Sequence, residues 1–136
     1  NTSHVLTAII RKIHTAKENN SPEVVMWGTG SPLREFLHVD DLSDACYFLM
    51  KNYNWKEFVN VGSGEEISIY NLTNLIADII WFKGKIVKDQ SKPDWTPRKL
   101  MDNSLINKLG WSPSIRLTEG IKNTYIEFLK EIKDRI

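Results

Sequence analysis

The sequence predicts an α/β fold, rich in helix and poor in strand, and three observations carry that expectation. Apolar residues recur at helical spacing in several segments, and short apolar runs ended by glycine or proline lie between them. Helical and extended patterns alternate along the chain, which is α/β order, yet the strands are too few for a self-sufficient doubly wound sheet. Finally, 136 residues at 41% hydrophobic and 26% charged describe one ordinary globular domain, with no tract biased toward disorder and no internal repeat.

The elements follow in order. A first helix is predicted from about Ser3 to Lys17, with Val5, Leu6, Ile9, Ile10, Ile13 and Ala16 on one face. At about 100° per residue, His4 and Arg11 point away from that face and Lys12 sits on its flank. Val24 to Trp27 is a short buried-strand pattern, stopped by the turn residues Gly28-Thr29-Gly30-Ser31-Pro32. Arg34 to Val39 alternates as an extended segment does. Asp40 and Asp41 then cap a second helix with Leu42, Ala45, Cys46, Leu49 and Tyr53 inward. Phe58 to Val61 reads as a strand ending at Gly62-Ser63-Gly64. Ser68 caps a third helix with Leu72, Leu75, Ile76 and Ile79 inward and Gly84 just past its end. Lys85 to Lys88 is a strand, Asp89 to Lys99 a proline-interrupted loop, and Ser104 to Leu109 a short helix. Thr118 caps a final helix that buries Ile121, Tyr125, Phe128, Leu129 and Ile132.

Composition excludes several classes. Eighteen basic against 17 acidic residues, without a block of like charge, give no electrostatic footprint for nucleic acid. No apolar run approaches the roughly 20 residues needed to cross a bilayer, so no membrane partner is expected. The single cysteine, Cys46, forbids an intrachain disulfide and fits a reducing, cytoplasmic setting. Five tryptophans exceed what so small a core needs, which marks at least one for a binding surface. The first residue is not methionine, and Asn1-Thr2-Ser3 enters a helix at once, which reads as a loop and cap cut from something longer.

Two stretches offer chemistry. From Trp27 to Asp41 the chain presents an indole, two glycines that permit close backbone approach, and the Arg34 guanidinium. An indole stacks on a purine and an arginine fork binds a diphosphate. Equally, Trp27 could plug the core and Arg34 pair with a carboxylate. From Ser91 to Lys99, two prolines stiffen a loop bearing Lys92, Arg98, Lys99 and Asp94, suited either to clamping a polar ligand or to a solvated surface. His4 is a candidate general acid or base, against the plainer reading of an exposed side chain. Cys46 reads as inert core and His38 as structural. No G-x-G-x-x-G fingerprint, zinc spacing or nucleophile elbow occurs; Gly28-Thr29-Gly30 and Gly62-Ser63-Gly64 are lone G-x-G turns.

Ser3-His4-Val5, Val25 to Gly30, Arg34 to Asp41, Asn60 to Gly64, and Ser91 to Asp94 with Thr96 to Lys99 together resemble the GDP-L-fucose synthases, over essentially the whole chain. The Arg34–Asp41 block and the Asn-Val-Gly turn are shared by extended short-chain dehydrogenase/reductases at large. The tryptophan–glycine turn and the Lys-Pro-Asp loop are narrower. The resemblance implies that residues 1–136 are the C-terminal, nucleotide-sugar-binding portion of a Rossmann-type fold, with the NADP-binding domain absent from this chain. It implies an NADPH-dependent epimerase–reductase acting on GDP-4-keto-6-deoxy-D-mannose, commonly a homodimer when complete. His4 matches the family's catalytic histidine, which also meets the cofactor, while Lys12, Trp27, Arg34 and Asp94 match substrate contacts. The reactive cysteine and the Ser-Tyr-Lys set are upstream of this chain, so Cys46 is not that cysteine. Lys12 replaces an arginine and so lacks the bidentate fork, Trp95 replaces a glycine, and Lys85 is a further contact candidate. Two alternatives stand beside this reading: a related nucleotide-sugar reductase or epimerase, and a non-catalytic nucleotide-sugar-binding module.

Overall fold

The computed structural model describes residues 4–94 and 96–134. Ser3, read as the start of the first helix, and Trp95 lie outside the described residues. Helix α1 (Val5–Glu18) buries Ile10, Ile13 and Ala16 and leaves His4, Arg11 and Lys12 exposed, as the helical wheel requires. Strand β1 (Glu23–Trp27) alternates strictly. Val24 and Met26 point into the core, so the pleat turns Trp27 outward. Strand β2 is short (Leu33–Glu35), and the backbone leaves the ladder before Val39.

Helix α2 (Val39–Asn52) departs from the sequence reading in two ways. Its N-cap is His38, whose Nδ1 accepts from the Asp40 N–H, so Asp40 and Asp41 occupy the first turn. Its buried side runs through Asp41 and Ala45 to the half-buried Phe48 and Leu49, leaving Cys46 and Leu42 exposed. The helix carries apolar residues on two faces, and periodicity alone could not say which one packs. Residues 58–61 form no ladder. They alternate exposed and half-buried like an extended segment, with Val59 and Val61 against the smaller core.

Strand β3 (Glu66–Ser68) leads into α3 (Ile69–Ile80), capped as expected by the Ser68 hydroxyl accepting from the Asn71 N–H. Trp81, not Gly84, closes that helix, in the left-handed conformation at φ 63°. Strand β4 (Lys85–Asp89) follows, then the two-residue β5 (Arg98–Lys99), α4 (Ser104–Leu109) and α5 (Leu117–Lys133). The cap of α5 is Arg116, without a side-chain bond, because Thr118 is already inside the first turn.

Two small sheets result. β1 and β4 pair in parallel from Glu23↔Lys85 to Trp27↔Asp89. β2 lies between β3, antiparallel, and β5, parallel. The main core joins α1, α3 and α5 to β1 through residues such as Ile10, Ile13, Leu72, Ile76 and Ile121, all but fully buried. Burying each such side chain stabilises the fold by about 1.5–3 kcal/mol. Lys17 reinforces the α1–α3 contact by donating to the Ile80 carbonyl, at the last residue of α3, at 2.8 Å. A smaller core gathers Ala45, Ile106 and Trp111, whose indole N–H donates to Asp44. The buried Asp41 carboxylate accepts from the Ser114 N–H and hydroxyl and from the Ile115 N–H, tying α2 to the segment that enters α5.

Candidate functional site

The parallel pair β1–β4 ends at Trp27 and Asp89, and the two loops that leave it meet there. Gly28 prolongs the ladder by donating to the Asp89 carbonyl at 2.9 Å. The carboxyl ends of parallel strands are the usual ligand-facing edge of α/β sheets.

The turn after Trp27 is held by Asp94, from the other loop. One carboxylate oxygen accepts from the Thr29 N–H at 2.9 Å and the other from the Thr29 hydroxyl at 2.6 Å. These bonds hold the Asp94 carboxyl below its ordinary range, the Thr29 hydroxyl bond foremost. Gly28 and Gly30 are both at φ 75°, where an L side chain is strained, and a Cβ on Gly28 would overlap Asp94. On its far side the turn is fixed to α3, with the Tyr70 N–H donating to Gly30 and the Ile69 N–H to Pro32. The loop from 89 to 97 is anchored at both ends. Asp89 accepts from the Ser91 N–H and hydroxyl, and the Leu33 N–H donates to Pro97.

Above this frame stands the Trp27 ring, 62% exposed and therefore not a core plug. The Lys12 ammonium from α1 lies 5.8 Å from its centroid, within cation–π range. Beside Lys12 an open groove of about 480 Å³ runs between α1 and β1, walled by Arg11, Thr15 and Val25. The fold thus brings together Lys12, Trp27 and Asp94, from three separate segments.

Arg34 lies in the middle of β2, half-buried, its guanidinium donating to the Leu33 carbonyl at 2.6 Å. Among the described residues it has no carboxylate partner, so its charge is unpaired. Arg98, by contrast, is engaged bidentately by Glu66, which lowers the Glu66 carboxyl and raises the Arg98 guanidinium. His4 is exposed at the N-cap of α1, about 12 Å along the helix axis from Lys12. Lys85 is exposed at the opposite end of β4 from the Trp27 turn.

The second G-x-G turn is filled from within. Glu35 accepts from the Gly64 N–H at 2.6 Å and also from the Met101 N–H and the Asn103 amide. Sequence reasoning had no route to the long-range bonds of Glu35 and Asp41 or to the Asp94–Thr29 clasp. Each joins residues more than 25 positions apart, and no local pattern records such a meeting.

Comparison with known proteins gives this helix-rich α/β frame its class, a portion of an extended short-chain dehydrogenase/reductase fold. The sequence pattern of the NAD dependent epimerase/dehydratase family matches residues 1–62. The chain is 57% identical over 130 residues to a putative GDP-L-fucose synthase 2 of Arabidopsis thaliana, covering 96% of this chain and 40% of that protein. Its fold superposes on a GDP-L-fucose synthetase of Naegleria fowleri bound to NADP with a TM-score of 0.89 at 30% identity, over 96% of this chain and 41% of the other. It also superposes on an NADP-bound GDP-mannoheptose C4 reductase of Campylobacter jejuni, with a TM-score of 0.82 at 36% identity, over 94% and 45%. Along almost its whole length the chain matches the C-terminal part of GDP-L-fucose synthases. It spans about two-fifths of the length of the curated relatives it matches.

Proposed function

We propose that this chain is the substrate-binding part of an NADPH-dependent epimerase–reductase that converts GDP-4-keto-6-deoxy-D-mannose to GDP-L-fucose. The observation that carries the reading is the convergence of Lys12 on an outward Trp27 indole whose following turn is fixed by Asp94.

In this reading the Trp27 face receives the flat base or the sugar of the nucleotide. Lys12 and the unpaired Arg34 guanidinium neutralise the diphosphate. Asp94 works through the turn, holding Thr29 and Gly28 so that the indole presents one orientation. His4 returns a proton to a carbon beside the ketone after that carbon has been deprotonated, which is feasible because the carbonyl delocalises the carbanion. NADPH, when bound, supplies the hydride that reduces the ketone. His4, exposed at the start of α1, is the residue assigned to meet it, and the sequence holds no glycine-rich dinucleotide fingerprint for its pyrophosphate. A cytoplasmic setting and a homodimer of the longer protein belong to the same proposal.

The test is turnover of the ketosugar by the longer protein in deuterated water. Deuterium entering at the carbons beside the ketone, with NADPH consumed, is the expected result. NADPH consumption without deuterium would replace epimerase–reductase by plain reductase, the second reading, which the similarity to the Campylobacter C4 reductase supports. Binding of the GDP-sugar with neither change would leave a non-catalytic module. The 136-residue chain alone is expected to have no turnover.

A further inference from the structure

Lys12 is not the only cation on Trp27. The Lys92 ammonium, from the loop after β4, lies 5.9 Å from the same ring centroid, against 5.8 Å for Lys12. Two ammonium groups from segments 80 positions apart thus crowd one exposed indole. Two positive charges therefore meet at one ring, offset for Lys92 only in part by the Asp89 carboxylate. Neither lysine forms an ion pair among the described residues. Of the carboxylates at hand, Asp94 is held by Thr29 and Asp89 by Ser91. Lys92 acts on Asp89 only weakly, lowering its carboxyl less than the Ser91 bonds do. Arg98, on the same loop, is taken by Glu66, which leaves Lys92 as the loop's free cation nearest the ring.

The loop is also built to place Lys92. Its own N–H donates to the Asp89 carbonyl at 3.3 Å, Pro93 fixes the backbone after it, and Asp94, two residues on, is itself bonded to Thr29 of the Trp27 turn.

We propose that Lys92 is a second anchoring residue for the diphosphate of a nucleoside diphosphate sugar, acting together with Lys12 at the Trp27 ring. The inference rests on the function proposed above and adds a residue to it. Lys12 keeps a charge but lacks the arginine fork, and a second ammonium supplies the further donors that a diphosphate's several oxygens accept.

The experiment is calorimetric titration of the longer protein with GDP and with guanosine, comparing wild type with Lys92→Gln, Lys92→Arg, Lys12→Gln and the double variant. Lys92→Gln should weaken GDP about tenfold and leave guanosine unchanged, and Lys92→Arg should recover most of the loss. The double variant should lose less than the product of the single losses, because both lysines grip one diphosphate. GDP bound equally by wild type and Lys92→Gln would overturn the role of Lys92 and leave the proposed function standing. Equal losses for GDP and guanosine would reduce Lys92 to a structural residue and likewise overturn it. A wild-type protein that binds no GDP would remove both readings.

Discussion

Replacing Asp41 by asparagine isolates one buried charge. The carboxylate accepts three hydrogen bonds: 3.1 Å from the Ser114 N–H, 2.9 Å from the Ser114 hydroxyl and 2.9 Å from the Ile115 N–H. Burial opposes the charge, yet the Ile115 and Ser114 bonds, with the nearby His38, outweigh it and hold the carboxyl below its ordinary value. In Asp41→Asn one oxygen can still serve Ser114, but an amide N–H₂ then faces the Ile115 N–H, donor against donor. The loss combines one charge-assisted bond, about 1.5–3 kcal/mol, with an unsatisfied N–H, about 1–3 kcal/mol, partly offset because a neutral amide is easier to bury. A net cost of about 2–4 kcal/mol is expected, read by urea denaturation at pH 7. The pH dependence fixes the sign. A carboxyl lowered on folding contributes its stability fully above its unfolded value, near 3.8, and loses it as pH falls through the folded value. The gap between wild type and Asp41→Asn should therefore narrow as pH falls below about 3.8. A gap under about 0.5 kcal/mol at pH 7, or one that widens in acid, would refute the reasoning.

Arg34→Ala in the longer protein should weaken GDP-sugar binding by one charge-assisted hydrogen bond, about 1.5–3 kcal/mol, measured by calorimetry; unchanged affinity would confine Arg34 to bracing β2. Gly28→Ala places a side chain at φ 75° and against Asp94, so it should cost the handedness penalty of about 1–2 kcal/mol and also disrupt nucleotide binding. Gly110→Ala is its control, because φ there is also positive but nothing lies within 4 Å of the added carbon. Gly110→Ala should lower stability alone, and loss of GDP binding in both variants would show that the Asp94 overlap is irrelevant.

The helices were legible because each buries a stripe long enough for periodicity to register. Ile10 and Ile13 on α1, Leu72 and Ile76 on α3 and Ile121 on α5 fall where the 3.6-residue repeat puts them. α2 was misread at Cys46 for the same physical reason, since two apolar stripes fit one repeat and only tertiary contact distinguishes them. The strand expected at 58–61 shows the matching limit. Alternation reports an extended backbone, whereas a ladder needs a partner, and the sequence of one strand does not contain its neighbour. At the site, the sequence left Trp27 open between core plug and ligand face, and the pleat decides it only once the structure turns Val24 and Met26 inward. The positions of Asp94 and Lys92 beside Trp27 did not follow, because they depend on where a loop more than 60 residues later returns.

That return explains the shape of the site. Lys12 comes from a helix, Trp27 from the end of a strand, and Lys92 and Asp94 from a loop, so no single element could hold them in register. What aligns them is the β1–β4 pair, which starts both loops at one height by matching Trp27 with Asp89. Asp94 then cross-links the loops through Thr29, and α3 fixes the far side of the turn through Tyr70 and Ile69. An aromatic ledge braced on two sides loses little freedom when a ligand settles on it, so more of the contact energy remains as affinity. The same bracing makes the ledge sensitive at a distance. A change at Gly28 or Thr29, neither of which offers a charge to a phosphate, should move the indole and both lysines relative to one another.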